Sequence, residues 1–357
     1  METNNASPYL YLRGLRQVDH TVFCVQDGQK FYRDPQWGRQ MAYSSGQQVK
    51  RSVLDNVMDR LNVQRAPITF NRTLITAKGD KQTLEDGEPW SPCDPTYADQ
   101  LLGGWMRAQK GGSTVKRRSP LSISAMRPLH PLLAGYTSEN ATFDRSDQPE
   151  HHPVRVIDAD GNEVSVEQIQ AFLQSSERSL TRRNWIPDLK RTSGLFIHDI
   201  AIDLRRLFRV SLTEHDPELD RDMIEKLRDH GWKATEDGYF IITPKEQRDE
   251  IIPALAHGLI HWRVTSNQSR TFSPQATLAL AISDNANHIA GAIRADLVDS
   301  DSTREQVEPV IDVFEGVEVF TALSAKGYIK GVSASSDALD RAEAYLCNHL
   351  TTFDYDA

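Results

Sequence analysis

Cysteine is scarce in this chain. Cys24, Cys93 and Cys347 are three among 357 residues, odd in number and far apart. That spacing excludes a disulfide framework and a cysteine zinc site, and it fits a reducing cytoplasm. Long apolar runs are also missing. No segment approaches the ~20 apolar residues that a membrane span needs, and "METNNASPYL" has no basic region leading into an apolar stretch, so no signal peptide and no membrane partner are expected. The sequence has no Walker A loop, no dinucleotide glycine fingerprint and no G-x-S-x-G elbow. Nor is there an excess of positive charge. A net charge of -9 argues against a protein that coats nucleic acid indiscriminately, but it leaves room for a localised basic groove.

Hydrophobic residues make up 39% of the chain and charged residues 25%, enough for one large core or two ordinary ones. Residues 9–25, "YLYLRGLRQVDHTVFCV", are rich in β-branched and aromatic types and read as strand, one or two. A polar loop with Gly28, Pro35 and Gly38 follows. From Ser45, Val49, Val53, Leu54, Val57, Met58 and Leu61 form one stripe of an amphipathic helix, with Ser44 or Ser45 as N-cap. Residues 77–152 carry glycine pairs and prolines and read as an insertion of short helices and loops. "HPVRVIDADGNEVSVEQIQAFLQ" reads as strand, turn and helix, and "LFIHDIAIDL" as strand. "PELDRDMIEKLRDHG" reads as a helix ended by Gly231, "KEQRDEIIPALAHGLIHW" as a helix and "QATLALAIS" as a strand. Residues 303–322 and 337–350 read as helical. Strands and helices mix without a regular βαβ tandem, so the expected class is α+β.

Charge is segregated along the chain. Residues 107–118 hold Arg107, Lys110, Lys116, Arg117 and Arg118 without an acid, and residues 177–191 hold Arg178, Arg182, Arg183, Lys190 and Arg191 against Glu177 and Asp188. Residues 296–318 hold eight carboxylates and one arginine. Cations concentrated in irregular segments suit arms that grip a polyanion; solvated loops are the plainer alternative. The stretch "YSSGQQVKRSV" sharpens the question. It sets Ser44, Ser45, Gln47, Gln48, Lys50 and Arg51 at a helix start, where unpaired N–H groups and the dipole already favour an anion. Amides and hydroxyls there can hold phosphate or ribose without demanding a sequence. "VTSNQSRTF" adds a third polar patch with Asn267, Gln268 and Arg270. His257 and His261 stand at i and i+4, a possible metal pair, but no third ligand is evident, so packing is the expectation and neither metal nor cofactor is expected.

At these residues the sequence resembles the backbone subunit of type I CRISPR surveillance (Cascade) complexes, in the RAMP superfamily. That family's hallmark is S-S-Q-x-x-K-R opening a helix after the first strand, and "SGQQVKR" fits it at Ser45, Gln47, Lys50 and Arg51. Gly46 stands for the second serine, and Tyr43 stands where arginine is frequent, a grip that Arg39 could supply. "YADQLLGGWM" with "KRRSPLSISAM" resembles the D-L-F-G-x-M and K-R-x-S-x-L-x-x-S pattern of the DevR-like branch. "TSGLFIHDIAIDL" resembles the S-G-x-F strand, and "SNQSRTFSPQATLALAIS" the segment before the last core strand. These matches keep the family's order over residues 10–290.

The resemblance implies a modified RRM/ferredoxin-like palm, with its first part at 1–76, a finger insertion at 77–152, palm again at 153–174, a thumb hairpin at 175–194, and the palm's remainder with C-terminal helices at 195–357. It implies a non-catalytic subunit that binds guide RNA (crRNA), stacks head to tail with further copies of itself and with other Cascade subunits, and presents the guide to target DNA. Thumb cations would track phosphates, with Trp185 and Ile186 as wedge or stacking platform. Two alternatives come from other classes: a type III-like endoribonuclease using Asp27 or Asp34 with a metal, and a generic RRM-like regulator, although no RNP aromatic signature is visible.

Overall fold

The computed structural model describes residues 7–23, 29–76, 82–108, 114–145, 147–176, 179–265, 272–298 and 305–356. Eight elements build the framework: β1 (Tyr9–Thr21), α1 (Gly46–Leu61), β2 (Ala134–Asp144), β3 (Arg183–Asp203), α2 (Lys245–His261), β4 (Thr277–Ser283), β5 (Glu318–Thr321) and α3 (Ala338–Thr352). The main sheet has the order β2-β3-β1-β4-β5, and the short strands Leu121–Ile123 and Arg127–Pro128 also pair with β3. β1 is antiparallel to both β3 and β4. The strand beside the β1-paired part of β3 is made by Leu121–Ile123 and Arg127–Pro128; with these as the second strand, strand, helix, strand, strand, helix, strand is the split βαβ arrangement of a ferredoxin-like sheet. The α+β class expected from the sequence is therefore the class of the fold.

The period of two in β1 explains its central place. Leu10, Leu12 and Val18 face the helical layer with Val49, Val53 and Val57 of α1 and Leu255 and Leu259 of α2. Leu15 faces the other way, joining Leu278, Ile289, Ile293 and Val317. β4 is buried along its whole length, as a central strand must be when both faces are covered. α1 starts at Ser45 and ends at Asn62, whose left-handed backbone (φ 55°) returns its N–H to Met58 and Asp59. α1 and α2 touch at Gly258, where a Cβ would lie 2.5 Å from Val57 Cγ2.

One arginine locks sheet to helix. Arg16 of β1 is 1% exposed, and it donates to the carbonyls of Trp262 (2.8 Å), Ile260 (3.0 Å) and Gln275 (3.2 Å). Its guanidinium lies 4.0 Å from the Trp262 ring centroid. Burial, then the charge of Arg263, lowers its pKa to about 9. His198 packs edge-on against the same indole, its centroid 4.8 Å away. That ring occupies the space opposite Gly14, its register partner.

Several segments differ from the sequence reading. Residues 303–322 are not helical where described: Gln306–Ile311 pairs with Ile293–Val298, and β5 follows. Acids spaced three or four apart imitate a helix face, but Val307, Val310 and Ile311 favour the strand and Pro309 opposes a helix. Within residues 77–152 the expected loops and a short helix, Ala98–Gly103, are present among the described residues, joined by several short strands that the reading lacked. Arg72–Thr76 pairs with Gln82–Asp86, and Trp105–Arg107 with Val115–Arg117. Residues 9–21 form one strand.

By contacts the chain divides into two compact units, Met1–Gly135 with Thr192–Ala357, and Tyr136–Arg191. The second holds the outer parts of β2 and β3 and a helix, Val166–Ser176. Cys93 and Cys347 are free thiols. No helix among the described residues is long and apolar enough to cross a membrane.

Gly14 supplies a test of this packing. A Cβ there would sit within 3.0 Å of three atoms of the His198 ring, so Gly14→Ala is expected to cost about 1–3 kcal/mol by overpacking. The cost should shrink in the His198→Ala background, as a double-mutant cycle by urea denaturation would measure.

Candidate nucleic-acid interface

The start of α1 is built from both directions. Ser45 is the N-cap: its Oγ accepts from the Gln48 N–H at 3.3 Å. Ser44 is fully buried. It exchanges backbone hydrogen bonds with Met126 (3.0 and 2.9 Å), and its hydroxyl donates to Gln48 Oε1 at 2.8 Å. The Gln48 amide in turn donates to the Phe23 carbonyl. Ser44 and Gln48 therefore point inward and fix the turn. Gln47 and Arg51 point to solvent. Gly46 has a steric reason: a Cβ there would lie 2.5 Å from the Ile123 carbonyl oxygen, so the serine of the family pattern has no room.

The candidate RNA-binding cations of the first unit separate into three kinds. Lys50 is half-buried and donates to the Gly103 carbonyl at 2.9 Å, capping the helix Ala98–Gly103. Burial, then the nearby charge of Arg117, lowers its pKa to about 8. Arg117 has no exposed side-chain surface. It donates to the carbonyls of Leu101, Arg206 (2.7 Å) and Arg209 (3.2 Å), and burial lowers its pKa to about 10. Its place in a basic run disguised a core arginine, which presents nothing to a ligand in this conformation. The others are at the surface. Arg51 pairs with Asp55 at 3.0 Å, Lys116 with Asp216 at 3.2 Å, Arg39 donates to the Pro131 carbonyl at 2.9 Å, and Arg118 is exposed.

Sequence reasoning missed two further groups, the first of them a neighbour of the helix start. Arg127 follows the residue that bridges to Ser44, and its side chain is 43% exposed. Trp37 stacks edge-on with His130, centroids 4.8 Å apart, beside the Arg39–Pro131 contact. Only the pairing of residues 44 and 126 reveals this proximity; no local pattern does. The Asp34 carboxylate accepts from the amides of Gln36 (3.1 Å) and Trp37 (2.8 Å), holding the hairpin turn. Asp27 lies outside the described residues.

In the second unit, strand pairing changes the meaning of the basic run. Arg183 meets Asp144 at 2.7 Å and Arg191 meets Glu139 at 2.8 Å. Lys190 donates to Ser138 at 2.6 Å and pairs with Asp188. Arg182 donates to the His152 carbonyl at 2.6 Å. These acids, sequence-distant except for Asp188, balance much of the cluster. What remains is an open groove of about 460 Å³ whose lining includes Phe143, Arg145, His151, His152, Arg182 and Arg183. Arg145 lies 4.7 Å over the Phe143 ring. The side chains of Trp185 and Ile186 lie outside what the structure describes, as do Asn267, Gln268 and Arg270.

Comparison with known proteins gives structural neighbours alone. No family model matches the sequence, and no curated protein matches it. One solved chain, from a "CRISPR RNA-guided surveillance complex, pre-nicking", aligns over 96% of this chain and 88% of its own, with a TM-score of 0.42 and 10% identity. Another, from a "CRISPR RNA-guided surveillance complex", aligns over 96% and 83%, with a TM-score of 0.38 and 10% identity. Likeness at this level assigns no function.

The chemistry these groups offer is binding. Exposed amide, hydroxyl and guanidinium donors can hold an anion, and Phe143 and Trp37 offer partly polar-rimmed aromatic surfaces. Lys50 gives a stability test. Its folded pKa of about 8 lies below the ordinary lysine value of 10.5. The unfolded chain therefore binds more protons between those values, and stability rises with pH across the window. The penalty is complete below about pH 8. Urea midpoints at pH 7.5 and 9.5 should show the wild type gaining on Lys50→Met as pH rises.

Proposed function

We propose that this chain is a non-catalytic, guide-RNA-binding filament subunit of a type I CRISPR surveillance complex. One observation carries the reading. The segment that resembles the family's hallmark, Ser45 to Arg51, folds as a serine-capped helix start that follows the central strand of a split βαβ sheet. In this reading Gln47, Arg51 and Arg39 hold the RNA backbone, with Ser45 shaping the turn and Lys50 supporting it from below. The second unit acts as the thumb, its groove following phosphates through Arg145, Arg182 and Arg183, with Trp185 set between bases. Further copies of the chain and other Cascade subunits extend the filament along the crRNA, which pairs with target DNA. A head-to-tail interface of this kind does not close, so the RNA sets the length. The acidic total suits such a subunit, since a small part of its surface meets RNA.

The test is co-expression with a CRISPR array and the neighbouring genes. The expected product is a nuclease-protected RNA of one discrete length carrying several copies of this chain. A monomer free of nucleic acid despite a confirmed guide supply would overturn the reading. Within the complex, Arg39→Glu with Arg51→Glu should weaken guide binding and flatten the salt dependence by roughly 0.7–1 in slope for each phosphate no longer neutralised. Trp185→Ala should cost ~1–3 kcal/mol per subunit if the indole stacks on a base. Normal RNA affinity with impaired subunit association would place Trp185 at the protein interface instead.

A further inference from the structure

His257 and His261 occupy the last turns of α2, and at i and i+4 they share one face, their ring centroids 4.5 Å apart. The sequence shows no third ligand, but the fold brings one from α3. Oε2 of Glu343 lies 3.0 Å from His257 Nδ1 and 3.1 Å from His261 Nε2. One ligand atom from each residue can be chosen so that all three lie within 4.8 Å of one another. The side chains are 28%, 29% and 26% exposed, so the cluster is held by packing yet open to solvent on one side. No other group of three His, Cys, Asp or Glu residues converges in this way among the described residues.

Without an ion the arrangement is a hydrogen-bond network. A single carboxylate oxygen faces both imidazoles, and each ring must carry its proton on the nitrogen turned toward it. A tetrahedral ion with bonds of about 2.0–2.1 Å needs ligand atoms about 3.3 Å apart. The two distances to Glu343 are close to that value, and the ion would draw together the two imidazole nitrogens, which already lie within 4.8 Å of each other. Arg16, donating to Ile260 and Trp262 at the same helix end, is the opposing charge. Against it stand the Glu343 carboxylate and the negative end of the α2 dipole.

We propose that His257, His261 and Glu343 form a site for a divalent first-row transition ion, Zn²⁺ above all, bound through two imidazole nitrogens and one carboxylate oxygen. Two imidazoles with a carboxylate suit zinc and leave a fourth position to water. The ion cross-links α2 to α3 and so ties the C-terminal helix to the framework. This site is independent of the RNA-binding reading and stands or falls separately.

The test uses the untagged full chain stripped with a chelator. Zn²⁺ competition against a chromophoric chelator should give one equivalent per chain, and Co²⁺ should give a visible absorption band of a low-coordinate site. Glu343→Gln and His261→Gln should each weaken Zn²⁺ ten-fold or more, at least on the order of what an outer-shell partner of a metal ligand contributes. Zn²⁺ should raise the melting temperature of the wild type and not of either variant. Absence of saturable binding at one equivalent, or equal affinity in both folded variants, would overturn the site and leave the cluster as a hydrogen-bonded helix contact. If a variant fails to fold, X-ray absorption of the Zn²⁺-loaded wild type decides: two imidazoles and a carboxylate oxygen support the site, and any other ligand set rejects it.

Discussion

The fold depends on a charge placed where charge is expensive. Arg16 is in the middle of the central strand, and its guanidinium is committed to the carbonyls that end α2 and to Gln275 before β4. Removing an ion from water costs several kcal/mol, so the site must return that through hydrogen bonds and through the Trp262 face. It does so by joining three elements remote in sequence. Around this joint the packing is close. Gly14 makes room for His198, His198 meets Trp262, and Gln275 bonds the backbone of Val264 in both directions at 3.1 Å. The ends of the segment between Val264 and Gln275 are thereby fixed to the core.

The surface charges follow a different rule. Basic runs that look uniform in sequence are sorted by the fold into structural and presented cations. Arg117 holds three carbonyls and Lys50 caps a helix, whereas Arg118 and Arg51, one position on from each, face outward. In the second unit, acids on β2 pair with bases on β3. Such pairing lowers the net field while keeping guanidinium groups aligned, and exposed pairs of this kind are worth little in stability. The Arg183–Asp144 pair is of that exposed kind, whereas Arg191 is buried and meets Glu139 from within the sheet.

Much of the framework was legible because period reports packing directly. The alternation in β1, the valine stripe of α1, the apolar run of β4 and the helices α2 and α3 each follow from one-dimensional pattern, and Ser45 is a cap by residue type and place. What failed depends on partners far along the chain. Acids at helical spacing concealed the strand Gln306–Ile311, whose register is set by Ile293–Val298. The burial of Arg117 follows from Leu101, Arg206 and Arg209, which no window around residue 117 contains. The convergence of Glu343 with His257 and His261 likewise needs the packing of α3 against α2. Gly46 is the instructive case: a departure from the family pattern in sequence becomes a steric requirement once Ile123 is in place.

The central position of β1 also dictates when the molecule can fold. Its two neighbours in the sheet are β3, ending at Asp203, and β4, ending at Ser283. A nascent chain that has emitted β1 and α1 therefore holds an unpaired apolar strand until most of the protein has left the ribosome. At ~5–20 residues per second that wait is on the order of tens of seconds. Non-local pairing of this kind slows folding and lengthens exposure to aggregation. A chain interrupted before residue 283 lacks one flank of its own central strand, so quality control falls on the complete polypeptide and not on its first half.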